Sequence, residues 1–164
     1  MFKFKINIYL NIVFVISLIS LISAYFIEYF LGYQPCNLCL MERIPYWLGL
    51  ILIILNYTFN KNEYFIILLL ILIFSFSLII SLYHFGIEQG FFEESTVCGL
   101  KNTLDITSKE ELLKQLQVKH ISCKDVTFRI FGFSLTAFNI FISVVLVCLL
   151  TKILKNYEEF KKKN

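Results

Sequence analysis

Residues 64–83, YFIILLLILIFSFSLIISLY, carry no charged side chain. As an α-helix this run would extend about 30 Å, the thickness of a bilayer's hydrocarbon core. Its apolar residues are continuous and do not recur at spacings of two or 3.6, so no face of the run is set aside for water. Three further runs read the same way. Ile6 to Ile27 has 22 residues without a charge, and Phe131 to Leu150 or a little beyond is also long enough to cross. Ile44 to Phe59 has only 16, so its helix is expected to begin several residues earlier, around Cys39 or Leu40. Pro45 would then fall near the first or second turn, where a missing N–H costs least. The expected fold class is an all-α membrane protein: one polytopic domain over residues 1–164, built as a bundle of four transmembrane helices at about 6–27, 40–59, 64–83 and 131–153.

Composition points the same way, with 58% hydrophobic and 16% charged residues, too apolar a balance for an ordinary soluble domain. Lys3 and Lys5 ahead of the first run could also head a secretory signal, but a signal core is normally about 7 to 15 residues and this run is longer. The net charge of +3 does not indicate nucleic acid, because the lysines gather at the chain ends and no basic patch interleaves with aromatics.

Loop lengths and charge set the topology. Four residues, Asn60 to Glu63, join spans two and three, whereas the connections at 28–43 and 84–130 are long and must share a face. The two ends and the short loop hold eight Lys and Arg in 22 residues, against seven in the two long loops together. The positive-inside tendency then puts both termini in the cytoplasm and both long loops outside. In the second loop, Ser108 and Glu111 fit a capping box, with Leu112, Leu113 and Leu116 on one face. A short amphipathic helix is expected there, packed on its own loop or lying in the headgroup layer.

Four of the five cysteines fall in the outer loops: Cys36 and Cys39 in the first, Cys98 and Cys123 in the second. Cys148, inside span four, reads as a small apolar side chain. On an oxidising face the four would be paired, and proximity favours Cys36 with Cys39 and Cys98 with Cys123, although other pairings stay open. A Cys-x-x-Cys ring is too small to gain much from loop entropy, so it is more often redox active or metal bound than a staple. Cys39 is expected near a helix start, with Arg43 one turn on, a setting that favours a thiolate. Arg43 could equally be an anchoring arginine that snorkels to the surface. Zinc is not expected, because 24 residues separate Cys98 from Cys123 and a four-cysteine site usually shows a second short knuckle. The second pair reads instead as a disulfide closing a flexible loop, accessible to a soluble partner and flanked by Glu93, Glu94, Lys124 and Asp125.

With these residues in place, the chain resembles the DsbB family of bacterial membrane disulfide-bond-forming proteins. The resemblance rests on Pro35-Cys36-Asn37-Leu38-Cys39 with Arg43 and Pro45, then on Tyr83-His84-Phe85-Gly86-Ile87-Glu88-Gln89-Gly90. It continues through Cys98-Gly99, and from Cys123 through Phe131-Gly132-Phe133-Ser134 to Asn139. It implies an inner-membrane enzyme of periplasmic protein folding that reoxidises a DsbA-like protein of thioredoxin fold and passes electrons to a membrane quinone, ubiquinone or menaquinone.

The resemblance further implies four catalytic cysteines working as two redox disulfides, Cys36 with Cys39 and Cys98 with Cys123. The partner would attack Cys98 and release Cys123. Cys123 would then attack Cys36, freeing Cys39 as a thiolate toward the quinone. Arg43 and His84 would lie at the quinone, although His84 is as readily a satisfied histidine at a helix end and His120 a plain loop histidine. Two other functions remain open at this point. One is a nonenzymatic four-helix protein with disulfide-stapled loops, and the other is a related membrane thiol oxidoreductase with a different donor or acceptor.

Overall fold

A computed structural model describes residues 2–59, 63–93, 123–124, 129–130 and 132–163. Four long helices account for nearly all of this: α1 Phe2–Tyr29, α2 Asn37–Phe59, α3 Glu63–Glu88 and α4 Leu135–Lys163. Between α3 and α4, β1 (Arg129–Ile130) and β2 (Phe133–Ser134) form an antiparallel hairpin with Arg129 opposite Ser134. Gly132 takes a φ of 86° in its turn, a conformation that costs glycine nothing.

Consecutive helices pack side by side, α3 most extensively on α4, and α4 closes back on α1. The core is a thin apolar column with Leu10, Val13, Ile53, Leu70, Phe74, Leu146 and Leu150 at its centre. Gly49 lets α2 approach α3 closely, since a Cβ there would stand 2.8 Å from the Phe74 ring. Each helix also turns large apolar side chains outward, among them Ile22, Leu72, Ile79 and Phe141. Such faces on helices long enough to cross a bilayer identify lipid as the solvent. The expected all-α, four-helix membrane bundle is therefore the fold of this protein.

Helices α1 and α4 extend past the expected spans at the terminal end of the bundle, to Phe2 and Lys163, and three helix ends at the cysteine end differ in ways that shape the site. Helix α2 starts at Asn37, several residues early, so Pro45 lies in its third turn and the Met41 carbonyl loses its usual donor. Helix α3 runs past Tyr83 to Glu88, which puts His84 and Glu88 on one helical face. It ends in a Schellman motif: Phe91 N–H donates to the Gly86 carbonyl at 2.8 Å and Gly90 N–H to the Ile87 carbonyl at 3.0 Å, with Gly90 at φ 78°. Helix α4 begins at Leu135, where Ser134 Oγ caps it by accepting the Ala137 N–H at 3.3 Å. Cys98, His120, the helix expected at 108–116 and the connection at 60–62 lie outside the described residues.

Candidate active site

Cys36 is the residue before the first turn of α2, and its sulfur does the work of a capping side chain. Its carbonyl accepts the Leu40 N–H at 3.2 Å while its Sγ accepts the Cys39 N–H at 3.4 Å. An acceptor in that position faces the unsatisfied amides of the helix end and the positive end of the helix dipole. The Cys36 and Cys39 Sγ atoms are 3.2 Å apart as free thiols. His84 on α3 brings its Nε2 to 3.5 Å from Cys36 Sγ.

Hydrogen bonding from Cys39 is the largest influence on the Cys36 thiol, followed by burial, which opposes it, and then by the His84 imidazole. The balance pushes the thiol down to about 4. The sulfur made ready as a thiolate is thus Cys36, whereas the sequence reading had favoured Cys39; only the N-cap sulfur points back at the helix amides. In reduced protein the ultraviolet thiolate absorbance, measured as wild type minus Cys36→Ser, should persist as pH falls from about 8 to about 5 and vanish only on further acidification. A signal lost between pH 9 and 8, near the ordinary thiol value, would contradict this assignment.

His84 is held rather than merely satisfied. Its Nδ1 lies 2.9 Å from Glu42 Oε1, and the other Glu42 oxygen accepts from Asn139 Nδ2 at 2.8 Å. Asn139 Nδ2 also reaches Ser81 Oγ at 2.7 Å, and its Oδ1 accepts from the Tyr46 hydroxyl. Ser143 then links Tyr46 to Ser77 at 3.5 and 3.4 Å. A polar chain thus descends from the cysteines into the apolar bundle and ties α2, α3 and α4 together. Buried polar groups are costly unless paired, so such a chain holds His84 at one position and orientation. Glu42, Tyr46 and Thr136 were not singled out from sequence. The available signal was a carboxylate beside an apolar run, which in a membrane helix marks function by default.

Arg43, read from sequence both as a thiolate and quinone neighbour and as a surface anchor, borders the cavity from the side of α1. It ion-pairs with Glu28 of α1 and stacks over the Tyr25 ring, 4.8 Å from guanidinium carbon to centroid. The side chain beside the reactive sulfur is His84, and Arg43 ties α1 to α2 at the edge of the same cavity. That cavity, of about 350 Å³, is bordered by Cys36, Cys39, Arg43, His84 and Glu88, and by apolar Ala24, Ile27, Phe138 and Ile142.

Cys123 is disulfide-bonded and 2% exposed. It joins Cys36, Leu38 and Ile87 in one small buried cluster and borders the cavity as well. The sequence reading had this half of the second pair open to a soluble partner; packing against α2 and α3 closes it off. Cys36, Cys39 and His84 also bring ligand-type atoms within 4.8 Å of one another, a set the zinc argument did not weigh because it counted cysteines alone. Cys148 is a free, exposed thiol on α4, in the region of lipid-facing side chains.

The model of one family, "Disulfide bond formation protein DsbB", matches residues 7–153. An uncharacterized protein of Rickettsia prowazekii (strain Madrid E), RP370, is 36% identical over 150 residues, covering 88% of this chain and 86% of its own. No solved structure matches the chain. A four-helix membrane bundle that brings a Cys-x-x-Cys pair and disulfide-bonded Cys123 to one buried cluster agrees with a match spanning nearly all of its length, and the chain belongs to the DsbB family of membrane disulfide bond formation proteins.

Proposed function

We propose that this protein is a thiol:quinone oxidoreductase of the bacterial inner membrane, with both termini cytoplasmic, that reoxidises a DsbA-like periplasmic protein. The observation that carries the reading is the meeting of Cys36, Cys39 and disulfide-bonded Cys123 at one end of the bundle, on a cavity that opens among lipid-facing helices. A protein substrate cannot enter lipid and a quinone cannot leave it, so the enzyme must hand electrons between two solvents.

The residues fit a quinone head. The cavity is within the usual size range of a small-ligand site, mostly apolar, with a few polar groups on its wall. Arg43 and His84 supply the donors that a quinone carbonyl would need. A bound quinone supplies an acceptor for two electrons and two protons.

The chain's own steps are thiol exchanges. The partner's thiolate attacks Cys98 and breaks the Cys98–Cys123 bond, and the partner's second thiol releases it oxidised only after Cys123 has moved on to Cys36. Cys123, freed as a thiolate, attacks Cys36 and displaces Cys39. When Cys98 takes back Cys123, Cys36 and Cys39 hold the electron pair as a reduced dithiol. Helix α2 then keeps the charge on Cys36, and His84 keeps a proton beside it.

The test is quinone-dependent oxidation of a reduced thioredoxin-like protein by purified enzyme; absence of that coupling would sink the proposal. Within it, Arg43→Gln should raise the apparent KM for quinone several-fold while leaving mixed-disulfide formation at Cys98 nearly intact. Lysine should rescue only part, because it keeps the charge but loses the planar fork that holds Glu28 and Tyr25. Equal damage to both steps would make Arg43 a helix anchor.

A further inference from the structure

No step above uses Glu88, yet its placement requires an account. It follows His84 by one turn on α3, and its side chain is 6% exposed. Oε1 accepts the Thr136 hydroxyl and stands 3.9 Å from His84 Nε2, the nitrogen that faces Cys36 Sγ. Oε2 is buried and has no hydrogen-bond partner among the described residues. A buried carboxylate oxygen left unpaired costs more than a hydrogen bond ordinarily returns, so stability does not explain it.

The contrast with Glu42 is instructive. Both Glu42 oxygens are occupied, one by His84 and one by Asn139, so that carboxylate is fixed in place. Glu88 has one oxygen held and one unengaged, and it borders the same cavity as Cys36, Cys39 and His84. Two carboxylates that differ in this way take different roles, one orienting and one carrying protons.

We propose that Glu88 is the proton carrier of this site, receiving through His84 the proton released by the Cys36–Cys39 dithiol and delivering it into the cavity. The inference rests on the quinone-linked reading above. In the net step the Cys39 S–H bond and the bond holding Cys36's proton on His84 break, and one S–S bond forms. Two electrons and two protons leave, and they end on the quinone oxygens as two O–H bonds. Glu88 gains and loses one proton per passage and is unchanged over a turnover. The charged and titratable groups sharing its cavity are Glu42, Arg43, Cys39 and Tyr46 from α2, Cys36 and Tyr33 just before it, Glu28 from α1, and His84 from its own helix. Helix α4 contributes the neutral Thr136 and Asn139.

The experiment uses the full chain in detergent or nanodiscs, with two readouts. In quinone-free protein, the infrared difference between oxidised and reduced Cys36–Cys39 should contain a carboxyl C=O band. Glu88→Gln, which keeps an acceptor for Thr136, should abolish that band, and Glu88→Asp should shift it. Thr136→Val, which removes the hydroxyl that ties α4 to Glu88 and, at 3.4 Å, to His84 Nδ1, should retain it. In quinone-coupled turnover, Glu88→Gln should be slower by about 100-fold, with partial rescue by added formate. A band and a rate unchanged in Glu88→Gln would overturn the proposal, and so would loss of the band in Thr136→Val, which would reduce Glu88 to a tether. The infrared readout needs no quinone, so it decides the role of Glu88 even if the wild type fails to reduce quinone. That failure would overturn the reading it rests on instead.

Discussion

On the proposed relay, a Cys39→Ser protein mixed with a reduced thioredoxin-like protein should accumulate a long-lived adduct through Cys98, visible on a non-reducing gel, and quinone-coupled turnover should fall to background. Cys98 and Cys123 would remain an attackable disulfide, so the partner can still enter the exchange. Electrons then stop, because Cys36 without Cys39 cannot form the acceptor disulfide that Cys123 must attack. Cys123→Ser should fail differently: turnover also ends, but Cys98 has lost the partner whose displacement starts the exchange. Both variants should insert at near-normal levels, since the outward apolar faces of the four helices owe nothing to the loop cysteines. Serine is nearly the size of cysteine, so at the buried positions it leaves little empty volume behind. Cys148→Ser should change little. Normal turnover in both Cys39→Ser and Cys123→Ser would reduce the two pairs to staples.

The contrast between these variants depends on details that the sequence displayed unevenly. Span number and order were legible because lipid demands long uncharged runs, and a run such as residues 64–83 has almost no other reading. The cysteine stations were legible from spacing. The start of α2 was not, because capping rules look for Ser, Thr, Asp or Asn, and here a cysteine sulfur fills that position. The end of α3 was hidden because the uncharged run stops at Tyr83, while the helix goes on through His84 and Gly86. In the fold the bare Cα of Gly86 accommodates the returning Phe92, whose ring would lie 2.4 Å from any Cβ there. With α3 cut at Tyr83, Glu88 fell in a loop and its relation to His84 disappeared.

Glu42 and Arg43 show the other limit. They are adjacent in sequence at the edge of an apolar run, and nothing local distinguishes their roles. Side-chain direction on the helix separates them, sending Glu42 inward to His84 and Asn139 and Arg43 outward to Glu28 of α1. The partner of each charge comes from a different helix, and no local pattern reports that. Asn139 was visible only through the family resemblance, for the same reason.

The inward branch carries the second large effect. His84→Ala should cost about 100- to 1,000-fold in quinone-coupled turnover while leaving adduct formation at Cys98 intact, because the imidazole faces Cys36 and not the partner. The same change removes the second of the two groups that hold the Cys36 thiol down. Its thiolate absorbance should therefore disappear at a higher pH than in wild type, yet below the ordinary thiol range, since the hydrogen bond from Cys39 is the larger influence and remains. Glu42→Leu should act on the same chain one step back. His84 would stay beside Cys36 but lose the carboxylate that orients it, and Asn139 Nδ2 would lose one of its two acceptors. The expected result is a smaller rate loss, about 10- to 100-fold, with a stability cost of about 1–3 kcal/mol from the donors left unpaired in the core. Reduced-state absorbance titrations and turnover assays on the two variants, with thermal unfolding in detergent beside them, separate chemistry from scaffold. If His84→Ala kept the wild-type thiolate titration, the imidazole would not act on Cys36. If Glu42→Leu matched His84→Ala in rate loss, the carboxylate would do more than orient the ring.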